Sequence, residues 1–402
     1  MKTLIELYDE RPLENVLGAD CFRPERVVYL CPTEDEQVRS AEKTLKDYFD
    51  YRETGVKAEF LYTSLFNTGK IMKRLESVLN TYPDCAIDIT GGSDAALFAA
   101  GALCEKYNVP VFTYSRKRNR FYSIRGAEFA DGITPDISYS IEDYFRMAGG
   151  SMKAGRANDS ALENHEGQID RFFSIYMANR RQWKSIITWF QNAAGSADNH
   201  KPAGTAGFSE EPPLKVSSPY FVKGDRGGKI AANEKVLRDF EKLGFIRDLE
   251  IVRDKTVTFS YADEDTRFWL RDIGSVLELY IWKCLRDSGC FGEVRCSTIV
   301  KWSGSESRDA VTNEIDVIGV SGVVPVFVSC KTCRIETYAL NELAILRDQF
   351  GGEMAKAVIV TSQSCQPVTR HRASALGIGV LDCNDLKTKN LPERIREICG
   401  TA

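Results

Sequence analysis

Between residues 27 and 114 short apolar runs and amphipathic stretches take turns, and this alternation limits the fold more than any other feature of the chain. Val27-Val28-Tyr29-Leu30-Cys31 reads as a buried strand, and Val38, Ala41, Leu45 and Phe49 follow it at helical spacing. Ala58–Tyr62 predicts a second strand, and Ile71, Leu75, Val78 and Leu79 mark the apolar face of a second helix. Cys85–Ile89, Ala95–Tyr107 and Val109–Tyr114 then predict a third strand, a third helix and a fourth strand. Strands that alternate with helices pair in parallel and carry helices on both faces, so the N-terminal region is α/β and Rossmann-like.

The alternation stops after Tyr122. Ile141–Ala148 and Gln168–Asn192 predict helices, and Ala193–Pro219, rich in Ala, Gly, Ser and Pro, predicts a linker. Glu234–Leu243 reads as a helix stopped by Gly244, before a two-stranded ribbon of Ile246–Val252 and Thr256–Tyr261; helix plus ribbon resembles the end of a winged helix. Further on come a helix (Gly274–Arg286), two strands (Glu314–Val320, Val324–Lys331), a helix (Glu336–Phe350), a strand (Ala357–Thr361) and a terminal α/β segment. A chain of 402 residues suits two to three domains. These shifts divide it into residues 1–140, 141–262 and 263–402, without an internal repeat.

The longest near-apolar stretch, Ala95–Cys104, is about half a membrane span, so no membrane partner is expected. Met1–Asn15 lacks the apolar centre of a secretory signal, and many of the 12 cysteines sit in apolar patterns where a reduced thiol acts as a small hydrophobe. Both features suit the cytoplasm. Cys330 and Cys333 form a lone C-x-x-C, and with three histidines in the chain a closed zinc site is hard to assemble. The net charge of −4 argues against coating nucleic acid with the whole surface and leaves room for local basic patches.

Asp88-Ile89-Thr90-Gly91-Gly92-Ser93-Asp94 joins the third predicted strand to the helix after it. Two glycines allow close backbone approach, and free N–H groups at the helix start beside the hydroxyls of Thr90 and Ser93 favour an anion such as a nucleotide phosphate. Equally, the glycines only turn the chain while Ser93 or Asp94 caps the helix. The turn lacks the G-x-G-x-x-G spacing of a dinucleotide site. Thr33, Phe66, Asn67, Tyr114 and Arg116 follow the other strands and converge on the same sheet edge, where they can line a nucleotide site.

In Asn313-Glu314-Ile315-Asp316-Val317-Ile318 the alternation puts Glu314 and Asp316 on one face and Ile315 and Val317 on the other. In the next strand Phe327, Ser329 and Lys331 share a face, and pairing through Ser321-Gly322 brings Asp316 beside Ser329 and Lys331. Charges held at the end of apolar strands need a reason, and a metal-dependent phosphodiester site supplies one. Carboxylates hold Mg²⁺ or Mn²⁺, the metal activates water, and lysine neutralises developing charge.

Asp316 with Ser329-Cys330-Lys331 resembles the PD-(D/E)XK nuclease pattern, Glu278 standing where that family's first helix often supplies a further acid. Together with the Thr-Gly-Gly-Ser turn and Leu346–Gly352 in order, the chain resembles the CARF-domain ancillary nucleases of type III CRISPR systems over nearly its whole length. The resemblance implies an N-terminal CARF domain, a helical and winged-helix-like middle and a C-terminal PD-(D/E)XK domain. It also implies a homodimer that binds a cyclic oligoadenylate, commonly the tetramer, and cleaves DNA or RNA when it does so. Two positions depart from the pattern. Ser329 stands where a carboxylate belongs, which makes Glu342 the candidate replacement: it lies on the following helix with Tyr338 and Leu346 four residues to either side and is expected to face the sheet; Glu336 is a weaker candidate. Asp94 stands where relatives often carry lysine. Ser329 also supports a reading in another class, a ligand-responsive DNA-binding regulator whose C-terminal domain no longer cleaves.

Overall fold

The computed structural model describes residues 1–33, 36–64, 66–153, 159–198, 214–224, 227–302, 311–388 and 391–400, and the fold is mixed α/β. The N-terminal region contains β1 (Thr3–Leu7), α1 (Leu17–Phe22), β2 (Arg26–Pro32), α2 (Glu36–Tyr51), β3 (Lys57–Thr63), α3 (Thr68–Thr81), β4 (Cys85–Asp88), α4 (Asp94–Tyr107), β5 (Val111–Ser115) and β6 (Arg120–Arg125). Its sheet runs β3-β2-β1-β4-β5-β6, parallel except for β6. The strand β1 is one that periodicity from residue 27 onward does not reveal. It lies in the middle of the sheet, so the Gly-Gly turn follows the fourth strand of the chain and not the third. Its Ile5 and Leu7 pack with Val28, Ile87, Ile71 and Leu75 beneath α3 and α4, while Leu4 faces the opposite core with Tyr29 and Phe112.

Two further elements lead out of this region: α5 (Ile141–Met147) and β7 (Ser151–Lys153). The middle of the chain holds α6 (Asp159–Asn179), α7 (Trp183–Asp198), β8 (Lys215–Pro219), β9 (Phe221–Lys223), β10 (Lys229–Ala231), α8 (Glu234–Leu243), β11 (Ile246–Val252) and β12 (Thr256–Tyr261). The single helix expected over 168–192 is broken, because a turn in which the Gln182 amide bonds to the Asn179 carbonyl at 2.8 Å separates α6 from α7. Within the expected linker, α7 extends to Asp198, residues 199–213 lie outside the described ones, and β8 pairs antiparallel with β12. Burial of Val216 and Ser218 between exposed neighbours gives that strand its two-residue period. Gly244 adopts φ 84° at the end of α8, a left-handed conformation that glycine reaches without strain.

The C-terminal region holds α9 (Glu264–Trp269), α10 (Ser275–Asp287), β13 (Glu293–Lys301), β14 (Thr312–Ser321), β15 (Val324–Lys331), α11 (Thr337–Gly351), β16 (Lys356–Thr361), α12 (Pro367–Ala375), β17 (Ile378–Leu381) and α13 (Leu391–Cys399). The sheet order is β17-β16-β15-β14-β13-β7, with the short β7 from before the middle region closing one edge. Each face of this sheet belongs to a different core. One core runs from Phe172, Trp183 and Phe240 through Leu277 and Ile281 to Val317, Val328 and Val360. The other runs from the N-terminal sheet through Tyr144 and Phe145 of α5 to Ile318, Phe327, Leu343 and Ile359. Tyr144 also donates to the Val323 carbonyl at 2.7 Å, a buried hydrogen bond worth about 1 kcal/mol. Among the described residues no helix is long and apolar enough to cross a membrane, and the described cysteines are free.

Candidate functional site

β14 and β15 pair antiparallel from Ser321↔Val324 back to Val317↔Val328, and there the ladder ends. Beyond that point β14 pairs with β13 alone, while β15 continues along β16 to Lys331↔Thr361. Asp316 stands in the fork. Its Oδ2 accepts the Cys330 backbone N–H at 2.6 Å and the Ser329 hydroxyl at 3.2 Å, and it faces Lys331 Nζ at 3.6 Å. The carboxylate thus takes over an amide that the open ladder leaves free.

The same place carries a slip in the pleat. Regular alternation would put Ile315 and Val317 on one face, but Ile315 packs with Ile318 and Phe327, and Val317 packs with Val326 and Val328 on the other side. β13 switches likewise, from Val294 and Cys296 in one core to Val300 in the other. Ser297, between the pairs Cys296↔Val317 and Thr298↔Ile315, has φ 49°, and the change of face in both strands coincides with it. Its hydroxyl donates to Glu278 Oε2 at 3.3 Å.

Glu278 lies in the first turn of α10 and folds back over Gly274, where a Cβ would stand 2.6 Å from Oε1. Burial, with the charges of Asp316, Asp272 and Glu314 adding to it, raises the Glu278 carboxyl well above the usual carboxylate range. Burial pulls Lys331 down, yet Asp316, with smaller contributions that include Glu342 and Glu278, leaves its pKa raised. Here an excess of acid meets one lysine at the mouth of an apolar sheet.

Glu314 is exposed, and so is Glu342. The expectation that Glu342 faces the sheet fails because α11 buries Ala339, Leu340, Leu343, Leu346 and Phe350, while Tyr338 is 68% exposed. Glu342 lies on the outer flank, where the Asn313 side-chain amide donates to it at 3.3 Å. Glu336 is the exposed residue before α11. Ser329 supplies no charge and instead holds Asp316 in place.

At the edge of the N-terminal sheet the turn is built against β1. A Cβ on Gly91 would meet Asp9 Cβ at 2.8 Å, and one on Gly92, at φ 97°, would meet Leu7 Cβ at 2.5 Å, so packing requires both glycines and conformation requires Gly92 as well. The hydroxyls expected to face an anion are already engaged. Thr90 Oγ1 donates to Asp88 Oδ1 and accepts the Tyr114 N–H at 2.8 Å, and Ser93 Oγ caps α4 by accepting the Ala96 N–H at 3.3 Å. Asn67 caps α3 in the same way, accepting from Lys70 N at 3.0 Å. Asp94 and Thr33 are exposed, Phe66 is 99% exposed, and Tyr114 is buried with its hydroxyl on Asn119 Oδ1 at 2.6 Å.

Arg116 turns inward, its Nε donating to Glu14 Oε1 at 2.5 Å. Beneath the turn Asp88 and Glu6 are buried side by side against Gly18, and burial pushes Asp88 up to about 7. Asp9, Arg11 and Glu14 are the residues at this edge that the sequence pattern does not single out. The signal for them is the short apolar run Leu4-Ile5-Glu6-Leu7, a strand whose end carries them.

Residues 262–399 match the family model described as the Card1-like endonuclease domain. No curated protein matches the chain. Among solved structures, protein VC1899 from Vibrio cholerae is 16% identical, with 99% of this chain and 98% of that chain covered at a TM-score of 0.76. Can2 from Sulfobacillus thermosulfidooxidans, solved in complex with cyclic tetra-adenylate, is 13% identical, with 99% of each chain covered at a TM-score of 0.68. A type III CRISPR defence DNA nuclease activated by cyclic oligoadenylate is 13% identical, with 98% of this chain and 51% of that chain covered at a TM-score of 0.51. At these identities the likeness shows a shared fold.

Proposed function

We propose that this chain is a metal-dependent nuclease of type III CRISPR defence, built on a CARF sensor and a PD-(D/E)XK domain and switched on by a cyclic oligoadenylate, cyclic tetra-adenylate first among them. The observation that carries the reading is a coincidence of place. The endonuclease match over residues 262–399 contains both arms of the fork, Asp316, Ser329 and Lys331 within it, and Glu278 behind it.

The donors suit a hard divalent cation, because carboxylate oxygens are what Mg²⁺ and Mn²⁺ take. Among the described residues no three His, Cys, Asp or Glu side chains converge as a closed metal-binding group. Asp316 and Glu278 would therefore hold the ion, with water and substrate oxygens completing its shell, as Mg²⁺ commonly allows. Bound there, the metal supplies Lewis acidity and an activated water. Ser329 and the Cys330 amide fix the orientation of Asp316, and Lys331 offers positive charge to the phosphate oxygens. Glu342, linked through Asn313 to the start of β14, and exposed Glu314 stand at the rim, where they shape the field around the strand to be cut.

A homodimer belongs to the same reading. Phe66 is 99% exposed and Phe98 of α4 is 69% exposed, and both stand close in sequence to the ligand edge. A second copy packed over that edge would cover them and complete the ligand site. Cleavage of labelled single-stranded and duplex DNA and RNA, with Mg²⁺ or Mn²⁺ and with or without cyclic tetra-adenylate, tests the reading. Activity that requires both metal and nucleotide is expected; a wild-type protein inert on every substrate would favour the DNA-binding regulator.

A further inference from the structure

Beside the shared apolar core, one side chain of the C-terminal region reaches the ligand edge of the N-terminal sheet. Glu353, in the 3-10 turn Gly352–Met354 that follows α11, places Oε1 2.8 Å from Arg11 Nη1 and Oε2 3.0 Å from Arg116 Nη1. Arg11 in turn grips Asp9, Nε to Oδ1 at 2.7 Å and Nη2 to Oδ2 at 2.8 Å. That Asp9 Oδ2 accepts the Gly92 N–H at 3.1 Å. Arg116 rests on Glu14. A continuous line of charge therefore runs from the amide of the Gly-Gly turn to the end of the helix that starts just after the Lys331 strand.

Counting formal charges, Asp9, Glu14 and Glu353 oppose Arg11 and Arg116. Three acids against two bases leave a net negative edge, which repels an anionic ligand unless a carboxylate withdraws. Glu14 has 4% side-chain exposure and Asp9 11%, whereas Glu353 has 58% and comes from another domain. Glu353 is the acid that can leave at least cost.

We propose that Arg11 and Arg116, held beside the Gly-Gly turn, form a phosphodiester seat that Glu353 of the nuclease domain blocks until the activator's phosphate displaces it. The proposal rests on the sensing role proposed above and adds an internal competitor to it. When the phosphate takes the two guanidiniums, Glu353 is released, and the end of α11 is freed from the sensor. Ligand and carboxylate exclude each other, so removal of the carboxylate's charge strengthens ligand binding.

The test uses the full-length protein, Glu353→Gln, which keeps the shape and hydrogen-bonding reach of the side chain, and Glu353→Asp, which keeps the charge. Cyclic tetra-adenylate binding is measured by calorimetry, and nuclease rate is measured without nucleotide. Glu353→Gln should bind about fivefold more tightly and show a basal rate raised by a similar factor, the scale of one partly exposed ion pair. Glu353→Asp should stay closer to wild type in both. Unchanged or weaker binding by a folded Glu353→Gln protein, in a wild type that does bind, overturns the blocked seat and leaves the sensing role standing. Failure of the wild type itself to bind cyclic tri-, tetra- or hexa-adenylate overturns both.

Discussion

Replacing Asp316 separates its structural duty from its chemical one. In Asp316→Ala the Cys330 amide loses its 2.6 Å acceptor at a point where β14 no longer pairs with β15, and an unsatisfied buried amide costs about 1–3 kcal/mol. Lys331 loses its counter-charge at 3.6 Å, and because that lysine keeps 29% exposure, this adds roughly 1 kcal/mol or less. Asp316→Ala should therefore be less stable than wild type by about 1–4 kcal/mol.

Asp316→Asn keeps an oxygen for the Cys330 amide and forfeits only the charge, so its loss of stability should be about 1 kcal/mol. Catalysis ranks the variants differently. Both remove a negative metal ligand, and with several kcal/mol of transition-state stabilisation at stake each should cut the activated cleavage rate by about 10²-fold or more. The assays are thermal melting in denaturant series and cleavage of labelled strands with Mn²⁺ at saturating cyclic tetra-adenylate. Wild-type cleavage by Asp316→Asn would refute the assignment of Asp316 to the metal. Equal destabilisation by the two variants would refute the role given to the Cys330 amide.

Gly274→Ala forces Glu278 to move, since the new methyl would lie 2.6 Å from Oε1; cleavage should fall by about tenfold with the fold retained, and an unchanged rate would remove Glu278 from the reaction. Burial raises Asp88 to about 7, above the unfolded carboxylate value, so the native state holds the extra proton and this group's contribution to stability falls as pH rises from about 4 to about 7. Asp88→Asn, followed by melting from pH 5 to 8, should remove a slope of up to about 1.4 kcal/mol per pH unit; identical slopes in wild type and variant would count against it. Because one apolar core spans the sensor sheet, α5 and the nuclease sheet, calorimetry should show these two regions unfolding in one transition, and well-separated transitions would contradict that core.

Sequence periodicity is informative where a local rule acts alone. The helix Glu234–Leu243, its stop at Gly244 and the ribbon after it follow from spacing and one glycine. The juxtaposition of Asp316 with Ser329 and Lys331 follows from hairpin geometry through Ser321-Gly322. The pleat slip does not follow, because nothing in Ser297 announces φ 49°, and the slip changes which of Ile315 and Val317 faces which core. Glu342 misleads for a related reason. Tyr338 looks apolar at helical spacing, yet the stripe that α11 buries is set by its neighbours Ala339 and Leu343. The meeting of Glu353 with Arg11, 342 positions apart, is a product of domain packing that no local pattern encodes.

Two kinds of contact between the N-terminal and C-terminal regions limit how the proposed switch can work. The apolar core through α5 is non-directional and indifferent to a phosphate, so ligand binding has no means of dissolving it, and the proposed switch has to leave the two regions joined. The Glu353 contact is the part an anion can change, and it is worth about 1 kcal/mol per chain. Moving a population from 1:99 to 99:1 takes about 5.5 kcal/mol, so two such latches in a dimer supply less than half of it. In the proposed dimer the remainder would come from contacts that the ligand makes with the turn and across the two copies. Glu353→Gln should accordingly raise the basal rate several-fold and still leave most of the activator dependence intact.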